Sequence, residues 1–277
     1  MRIEIGQYEF TEVWDGVLYK NLSQYPAVTD WELRTLLEFM AYEAAQGRAC
    51  ILACENEALL RQIEAKLREP EKYLHTPRPR LLTECTACPV RRGCETEWVC
   101  HTAPPENALS ILRSGWLLSA VKARGLPARQ LMAESRNAAG DPEDYFHYVM
   151  LSWGNCQAGD RLVMERRLGR FPTEAELENA LVPGVRFYFR YDVLARHPNR
   201  VFDGVLPMKV RDGIELAPWV HRILIPECHR GLLEGSVPET LRDRVLYVPH
   251  RGEGLWAWSE KVYSLIAGPG QNGPCEG

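Results

Sequence analysis

Hydrophobic and polar positions alternate over the first 20 residues. Ile3, Ile5, Tyr8, Phe10, Val13, Val17 and Tyr19 are separated by polar neighbours and interrupted at Asp15-Gly16, which predicts a strand, a tight turn and a second strand. The period then lengthens. Trp31, Leu33, Leu36, Leu37, Met40 and Tyr42 recur at helical spacing behind the start signal Thr29-Asp30, and Gly47 ends the segment. Cys50 to Cys54 (CILAC) reads as a short buried strand and Asn56 to Arg68 as a second amphipathic helix, so the chain opens with a small ββαβα unit. Pro70 to Pro79 has no periodicity and is rich in Pro, Lys, Arg and His, which marks a linker or boundary.

The stretch Cys100 to Ala120, CHTAPPENALSILRSGWLLSA, organises the rest of the chain. Thr102 is placed to cap a helix, Pro104 and Pro105 suit its first turn, and Glu106 sets an anion at the positive end of the helix dipole. Ala108, Leu109, Ile111 and Leu112 give the helix an apolar face, Gly115 stops it, and Trp116 to Leu118 continue as extended chain. His101 and Thr102 stand at the mouth of the turn. Further on, Leu126 to Ala139 reads as a short helix, Tyr145 to Trp153 as a strand, and Gly154 to Asp160 as a loop. Val163 to Leu181 is helical in part, broken at Gly169 and Pro172, and Pro183-Gly184 opens a strand from Val185 to Tyr191. Short strands are expected at Val205 to Val210, Ile214 to Leu216, His221 to Ile225 and Arg244 to Pro249, then a helix or strand from Leu255 to Ile266. The C-terminal two thirds thus reads as mainly β, with few helices.

Composition narrows the class. The 277 residues are 45% hydrophobic and 25% charged, and no run nears the roughly 20 apolar residues of a membrane span. MRIEIGQYEF lacks the apolar core of a signal peptide, so a cytoplasmic protein is expected. A net charge of -4 argues against an evenly basic surface, while arginines bunched at 161–170 and 186–200 leave room for a local nucleic-acid groove.

Nine cysteines without a secretory signal do not suggest a disulfide framework. Cys85, Cys88 and Cys94 form C-x2-C-x5-C, and Cys100 comes six residues later. A C-x2-C pair brings two thiolates to one side of a tight knuckle, as tetrahedral zinc and iron–sulfur sites require, so the four are candidate ligands of zinc or a [4Fe–4S] cluster. Cys54 or Cys50 is an alternative fourth ligand.

A His-Thr pair leading into a capped helix that ends at Gly resembles the first nucleotide-binding motif of the ADP-ribosyltransferase superfamily. The resemblance implies that His101, with Thr102 beside it, holds a ribose of NAD, and that the following helix and strand line the nicotinamide pocket. An imidazole suits this role because it gives or accepts one hydrogen bond to a sugar hydroxyl. The spacing is most similar to the DarT type, bacterial toxins that attach ADP-ribose to nucleic-acid bases. Their pattern continues with a helix ending in Arg or a basic pair, a turn, Asp-Tyr and a hydrophobic strand, where this chain has LMAESRNAAGDPEDYFHYVML. By that resemblance Arg136 lies near the NAD phosphates or the attacking base, and Tyr145 and Tyr148 shape the pocket. A planar guanidinium can engage a pyrophosphate at two points. The family also places a Glu at the start of a late strand, where a carboxylate stabilises positive charge on the ribose. In VHRILIP that position is His221; the nearby acids are Glu227, taken first, and Glu215, with His221 itself as an alternative base. The resemblance spans Cys100 to Val248.

The remaining signals are weaker. Trp256, Trp258 and Tyr263 could stack a base, although their spacing is that of a core. Asp203-Gly204 and Lys209 loosely match the Asp and Lys of metal-dependent nucleases, without the paired acid that chemistry needs. The sequence thus predicts an α+β protein with a small domain over 1–75, a cysteine knuckle in a linker over 76–100, an ADP-ribosyltransferase-like β-rich domain over 101–266 and a flexible tail over 267–277. The expected function is NAD-dependent transfer of ADP-ribose to a base of single-stranded DNA or RNA, as a toxin or defence effector, with an antitoxin protein as a further partner and no membrane. The alternatives are a metal-stapled nucleic-acid-binding or regulatory module without catalysis and, third, a nuclease bearing an iron–sulfur cluster.

Overall fold

A computed structural model describes residues 1–9, 11–76, 97–134 and 142–267. Its first elements are β1 (Arg2–Gly6), β2 (Glu12–Trp14), β3 (Val17–Asn21), α1 (Asp30–Ala45), β4 (Ile51–Ala53) and α2 (Glu57–Leu67). The expected hairpin is present as β2 and β3, with Asp15 and Gly16 turning at φ 47° and 78°. β1 is a separate strand because the chain leaves the ladder after Gly6. Tyr8 donates its amide to Asn21 Oδ1 at 3.0 Å and Asn21 donates its own to Thr11 Oγ1 at 3.2 Å, which fastens the intervening loop to the end of β3. The sheet order is β2-β3-β1-β4, with β1 parallel to both β3 and β4.

The period-2 pattern of these strands turns Ile3, Ile5 and Leu18 inward, where Leu33, Leu36 and Phe39 of α1 and Leu59 and Ile63 of α2 meet them, all at most 3% exposed. Each such side chain contributes about 1.5–3 kcal/mol by burial. Helix α1 begins where the sequence indicates. Thr29 and Glu32 form a reciprocal capping box, and Glu32 also accepts the Ser23 amide at 2.7 Å.

The chain continues through β5 (Trp98–Ala103), α3 (Pro105–Ser114), β6 (Trp116–Leu118), α4 (Ala120–Arg124), α5 (Ala128–Glu134), β7 (Tyr148–Trp153), α6 (Ala158–Leu168), α7 (Glu174–Asn179), β8 (Val185–Arg190) and α8 (Tyr191–Leu194). It ends with β9 (Arg200–Val201), β10 (Met208–Arg211), β11 (Gly213–Glu215), α9 (Leu216–Trp219), β12 (Arg222–Pro226), α10 (Arg230–Leu233), β13 (Val245–Val248) and α11 (Leu255–Ala267). Helices are more frequent here than the sequence suggests. The segment open to either reading, Leu255 to Ile266, is helical: Leu255, Trp258, Val262 and Ile266 fall on one buried stripe. The result is a mixed α+β architecture, and among the described residues no helix is long and apolar enough to cross a membrane.

Contacts divide the chain into two units that are not consecutive in sequence. The first comprises Met1–Thr96, Leu118–Met150 and Pro198–Gly213, the second Glu97–Leu117, Leu151–His197 and Ile214–Gly277. In the second unit β13, β12, β8, β5 and the Leu151–Trp153 part of β7 lie side by side. β8 runs antiparallel to both β5 and β12, while β13 is parallel to β12. Val185 to Phe189 of β8 are all buried, as expected of a strand covered on both faces.

The cap of α3 differs from expectation. Thr102 does not cap it, because the ladder with β8 extends to Ala103↔Val185 and keeps Thr102 within β5. Pro104 is the N-cap residue, without a side-chain cap bond, and its carbonyl accepts the Ala108 amide at 2.9 Å. Gly115 does end the helix, in the left-handed region at φ 70°.

Lys20 of β3 points into the first unit's core, 6% exposed, and donates Nζ to Thr35 Oγ1 of α1 at 2.7 Å. Burial lowers its pKa from 10.5 to about 8, against the opposing pull of Glu32 and Glu38. A depressed lysine pKa disfavours the folded state while the group is charged in both states, below pH 8, and the penalty is relieved as pH rises from about 8 to 10.5. Replacing Lys20 with Met therefore stabilises the protein relative to the parent near pH 7, and that advantage shrinks by about 3 kcal/mol toward pH 10.5. Urea unfolding of both proteins across this range measures the gap; a gap independent of pH contradicts the assignment.

Candidate functional site

His101 lies on β5 between β7 and β8, level with Phe187 of β8, which in turn is level with Ile223 of β12. Strand alternation sends Trp98, Cys100 and Thr102 to one face of the sheet and Val99, His101 and Ala103 to the other. His101 and Thr102 are both half-buried, yet their side chains leave opposite faces, so the strand does not bring the two expected nucleotide ligands together.

The Thr102 face is tightly filled. A Cβ at Gly159 of α6 would collide with the Thr102 hydroxyl, and one at Gly184 would reach 2.7 Å from its methyl. Next to it lies a buried ion pair. Asp160 accepts the Gly184 amide at 2.7 Å through Oδ1 and accepts Arg186 Nε at 2.9 Å and Nη2 at 2.5 Å through Oδ2. Arg186 also donates Nη1 to Tyr188 Oη at 3.1 Å and Nη2 to Ser259 Oγ at 3.2 Å. Burial works against the Arg186 charge, but the Asp160 carboxylate outweighs it and the guanidinium pKa stays well above its ordinary value.

Cys100 is 2% exposed in the same layer, its Sγ 4.0 Å from Thr102 Oγ1. Burial pushes its thiol up to about 12, only partly offset by the Arg186 charge. The side chain belongs to the apolar core that contains Trp98, Met164 and Tyr188. Cys85, Cys88 and Cys94 lie outside the described residues. Among the described residues no group of His, Cys, Asp and Glu is arranged to hold a metal ion, and Cys50 and Cys54 are half-buried free thiols.

The three candidates for the late acid are separated. β5 and β12 run in the same direction, so Glu227, directly after β12, stands at the end of the sheet where β5 passes into α3. Glu227 is exposed and paired with Arg230, Nε to Oε1 at 2.7 Å. His221 precedes β12 at the opposite end, its ring tilted by 40° against Trp98 with centroids 4.6 Å apart. Burial and the charges of Arg222, Arg190 and Arg244 lower its pKa. Glu215 ends β11, which pairs with β6 in a separate two-stranded ladder, and its side chain is exposed.

Tyr145 and Tyr148 belong to the first unit. With Tyr42 they surround Lys209, whose Nζ lies 3.6, 5.2 and 4.1 Å from the ring centroids of Tyr145, Tyr148 and Tyr42. Lys209 and Asp203 are both fully buried and form an ion pair at 2.8 Å. The pairing of these two residues is legible in the sequence only as a loose nuclease-like signal; their burial is not. The hydroxyl of Tyr42 donates to Asp144, which also accepts Arg48 Nη1 at 2.8 Å. Although burial opposes it, these bonds hold the Asp144 carboxyl below its ordinary pKa. Asp144 lines a shallow polar cleft of about 340 Å³ together with Gln46, Glu143, His147, Tyr148 and Arg211.

Arg136 lies outside the described residues. Of the arginine runs, Arg161, Arg170 and Arg190 are engaged by Glu174, Glu176 and Asp192, and Arg186 is internal; the others, Arg166, Arg167, Arg196 and Arg200, are exposed. Trp258 and Tyr263 are core residues, while Trp256 is 41% exposed.

Removing one partner of the Asp160–Arg186 pair leaves an uncompensated buried charge. Asp160→Ala should destabilise the protein by about 3–5 kcal/mol, and the double variant Asp160→Leu/Arg186→Met should recover most of that loss. Urea unfolding decides it, and a loss under about 1 kcal/mol in the single variant would show that the pair is not needed. Comparison with protein-family models, curated proteins and solved structures finds no match for this chain.

Proposed function

We propose that the protein transfers ADP-ribose from NAD to a base of single-stranded DNA or RNA, as a toxin or defence effector. The observation that carries this reading is the order β5–α3–β6 around His101: a half-buried imidazole on an interior strand, a helix starting at Pro105, a glycine stop and a second strand. This is the arrangement that the resemblance to ADP-ribosyltransferases implies.

In this reading His101 hydrogen-bonds a ribose hydroxyl and sets the sugar against the end of the sheet. Breaking the nicotinamide–ribose bond gathers positive charge on that sugar, and a carboxylate beside it stabilises the charge and orients the acceptor. Glu227 is the best placed of the three candidates because it shares the end of the sheet with the β5-to-α3 turn. It must exchange its Arg230 partner for the substrate, giving up two contacts, Nε to Oε1 at 2.7 Å and Nη2 to Oε2 at 3.2 Å. Arg136 is the group for the phosphates or the acceptor. Thr102 contributes to the strand and its packing; its hydroxyl is directed away from the His101 face. If a metal binds the cysteine knuckle, Cys85, Cys88, Cys94 and Cys100 are its candidate ligands, and Cys100 would have to give up its place in the apolar core to join them.

The tie between Glu227 and Arg230 favours a second reading, a nucleic-acid-binding or regulatory module without catalysis. One experiment separates the two. Labelled NAD is incubated with the protein and with DNA and RNA oligonucleotides in turn, and products are read by mass spectrometry. Transfer to a base is expected, with His101→Ala and Glu227→Gln each slowing it by about 100-fold. Absence of both transfer and NAD binding, with His101→Ala indistinguishable from the parent, removes the enzyme reading; oligonucleotide binding that weakens with salt and ignores NAD then supports the second.

A further inference from the structure

The outer face of the N-terminal sheet is built unlike a solvated surface. With Ile3, Ile5 and Leu18 turned inward, the opposite face presents two rows in register: Glu12, Tyr19, Glu4 and Ala53, then Trp14, Val17, Arg2 and Ile51. Trp14 and Ile51, at the two edges, are 63% and 70% exposed. Val17 and Arg2 stand between them in the same row, so that, counting the aliphatic stem of Arg2, apolar groups follow one another across all four strands.

Beside these rows Tyr8 and Tyr19 form an edge-to-face pair, centroids 5.5 Å apart, at one wall of a cleft of about 320 Å³ that Glu9 and Glu12 complete. The Tyr8 loop is held in place by its bond to Asn21. Glu9 and Glu12 bring two exposed carboxylates to the cleft. The Tyr8 hydroxyl pKa is raised, first by burial and then by the charges of Glu4 and Glu55. The guanidinium on this face, Arg2, is already paired with Glu4 at 2.5 Å.

We propose that this face docks a basic segment of a partner protein, its Lys or Arg side chains entering the Tyr8–Tyr19 corner between Glu9 and Glu12 and its apolar side chains lying on Trp14 and Ile51. Aromatic faces and carboxylates together attract cations. The same charges repel phosphate backbones and anionic lipid. Four strands about 4.8 Å apart set Trp14 and Ile51 roughly 14 Å from each other, a footprint for a peptide and wider than one ammonium group. The proposal does not depend on ADP-ribose transfer.

The test uses the full chain and a fluorescent peptide of alternating Arg and Leu, with a Glu/Leu peptide of equal length as control, followed by anisotropy. Binding of the Arg/Leu peptide alone is expected, weakening as salt rises. Glu9→Gln/Glu12→Gln and Trp14→Ala should each lower its affinity by about fivefold or more, while Glu57→Gln/Glu64→Gln on α2 leaves it unchanged. These side chains are exposed, and matching thermal melts establish that the variants are folded. Equal binding of both peptides, or an equal loss in the α2 variant, overturns the proposal. So does complete displacement of the peptide by millimolar tetramethylammonium, which would make the cleft a small-cation site, or a dimer in sedimentation that Trp14→Ala abolishes, which would make the face a self-contact.

Discussion

A guanidinium in the middle of a β-sheet is the constraint on which the second unit depends. Arg186 sits on β8 between β5 and β12, 1% exposed, and a charge there is tolerated only if every direction it points finds an acceptor. Asp160 from α6, Tyr188 from its own strand and Ser259 from α11 provide them. Two separate segments, α6 and α11, are therefore fixed relative to one strand. The close approach of α6 also dictates glycine at 159 and 184, because Thr102 fills the space a Cβ would need. The buried pair thus holds α6 against the face of the sheet that carries Thr102, opposite the face that carries His101. Such a pair adds little net stability over a well-packed apolar substitute, so its value lies in fixing one arrangement and penalising others.

The first unit solves a similar problem with aromatic rings. Lys209 is charged, fully buried and answered by Asp203, and the remaining directions are closed by three tyrosines. Asp203 is further bound through Oδ1 to the Val205 and Leu206 amides, a turn made possible by Gly204, where any side chain would strike the Thr35 carbonyl of α1. Tyr145 and Tyr148 are thus committed to covering a cation. Their ring faces serve Lys209; what remains for a ligand is the Tyr148 edge that lines the cleft with Asp144 and Arg211.

Legibility in the sequence depends on the range of the interactions concerned. Local signals were readable: Thr29 with Glu32 starts α1, Gly115 ends α3, and the stripe of Leu255, Trp258 and Val262 lies on one face of α11. Thr102 failed as a cap for a non-local reason, since pairing with β8, more than 80 residues later in the chain, outcompetes a local side-chain bond. Arg186 reads as one more member of an arginine run, because nothing at its own position reveals an aspartate 26 residues earlier. Lys209 is hidden in the same way, its three aromatic neighbours arriving from distant stretches. Periodicity reports which residues turn inward only when they are apolar; a buried charge has the local signature of a surface residue.

The candidate site inherits this limit. A histidine at a strand position is easily found, whereas its acid is defined by which end of the sheet a later strand delivers, and that depends on strand direction. Antiparallel pairing of β8 with both neighbours makes β5 and β12 run alike, which brings Glu227 and the β5-to-α3 turn to one end and sends His221 to the other. Burial and three arginines lower the His221 pKa and its ring lies tilted against Trp98, a setting that offers no negative charge for the proposed reaction. Glu227 is exposed at the first of these ends, and reaching a ligand there means leaving a two-pronged pair with Arg230. Strand direction, which no local pattern encodes, is thus the feature that ranks the acids and makes the choice between catalysis and binding an experimental question about one side chain.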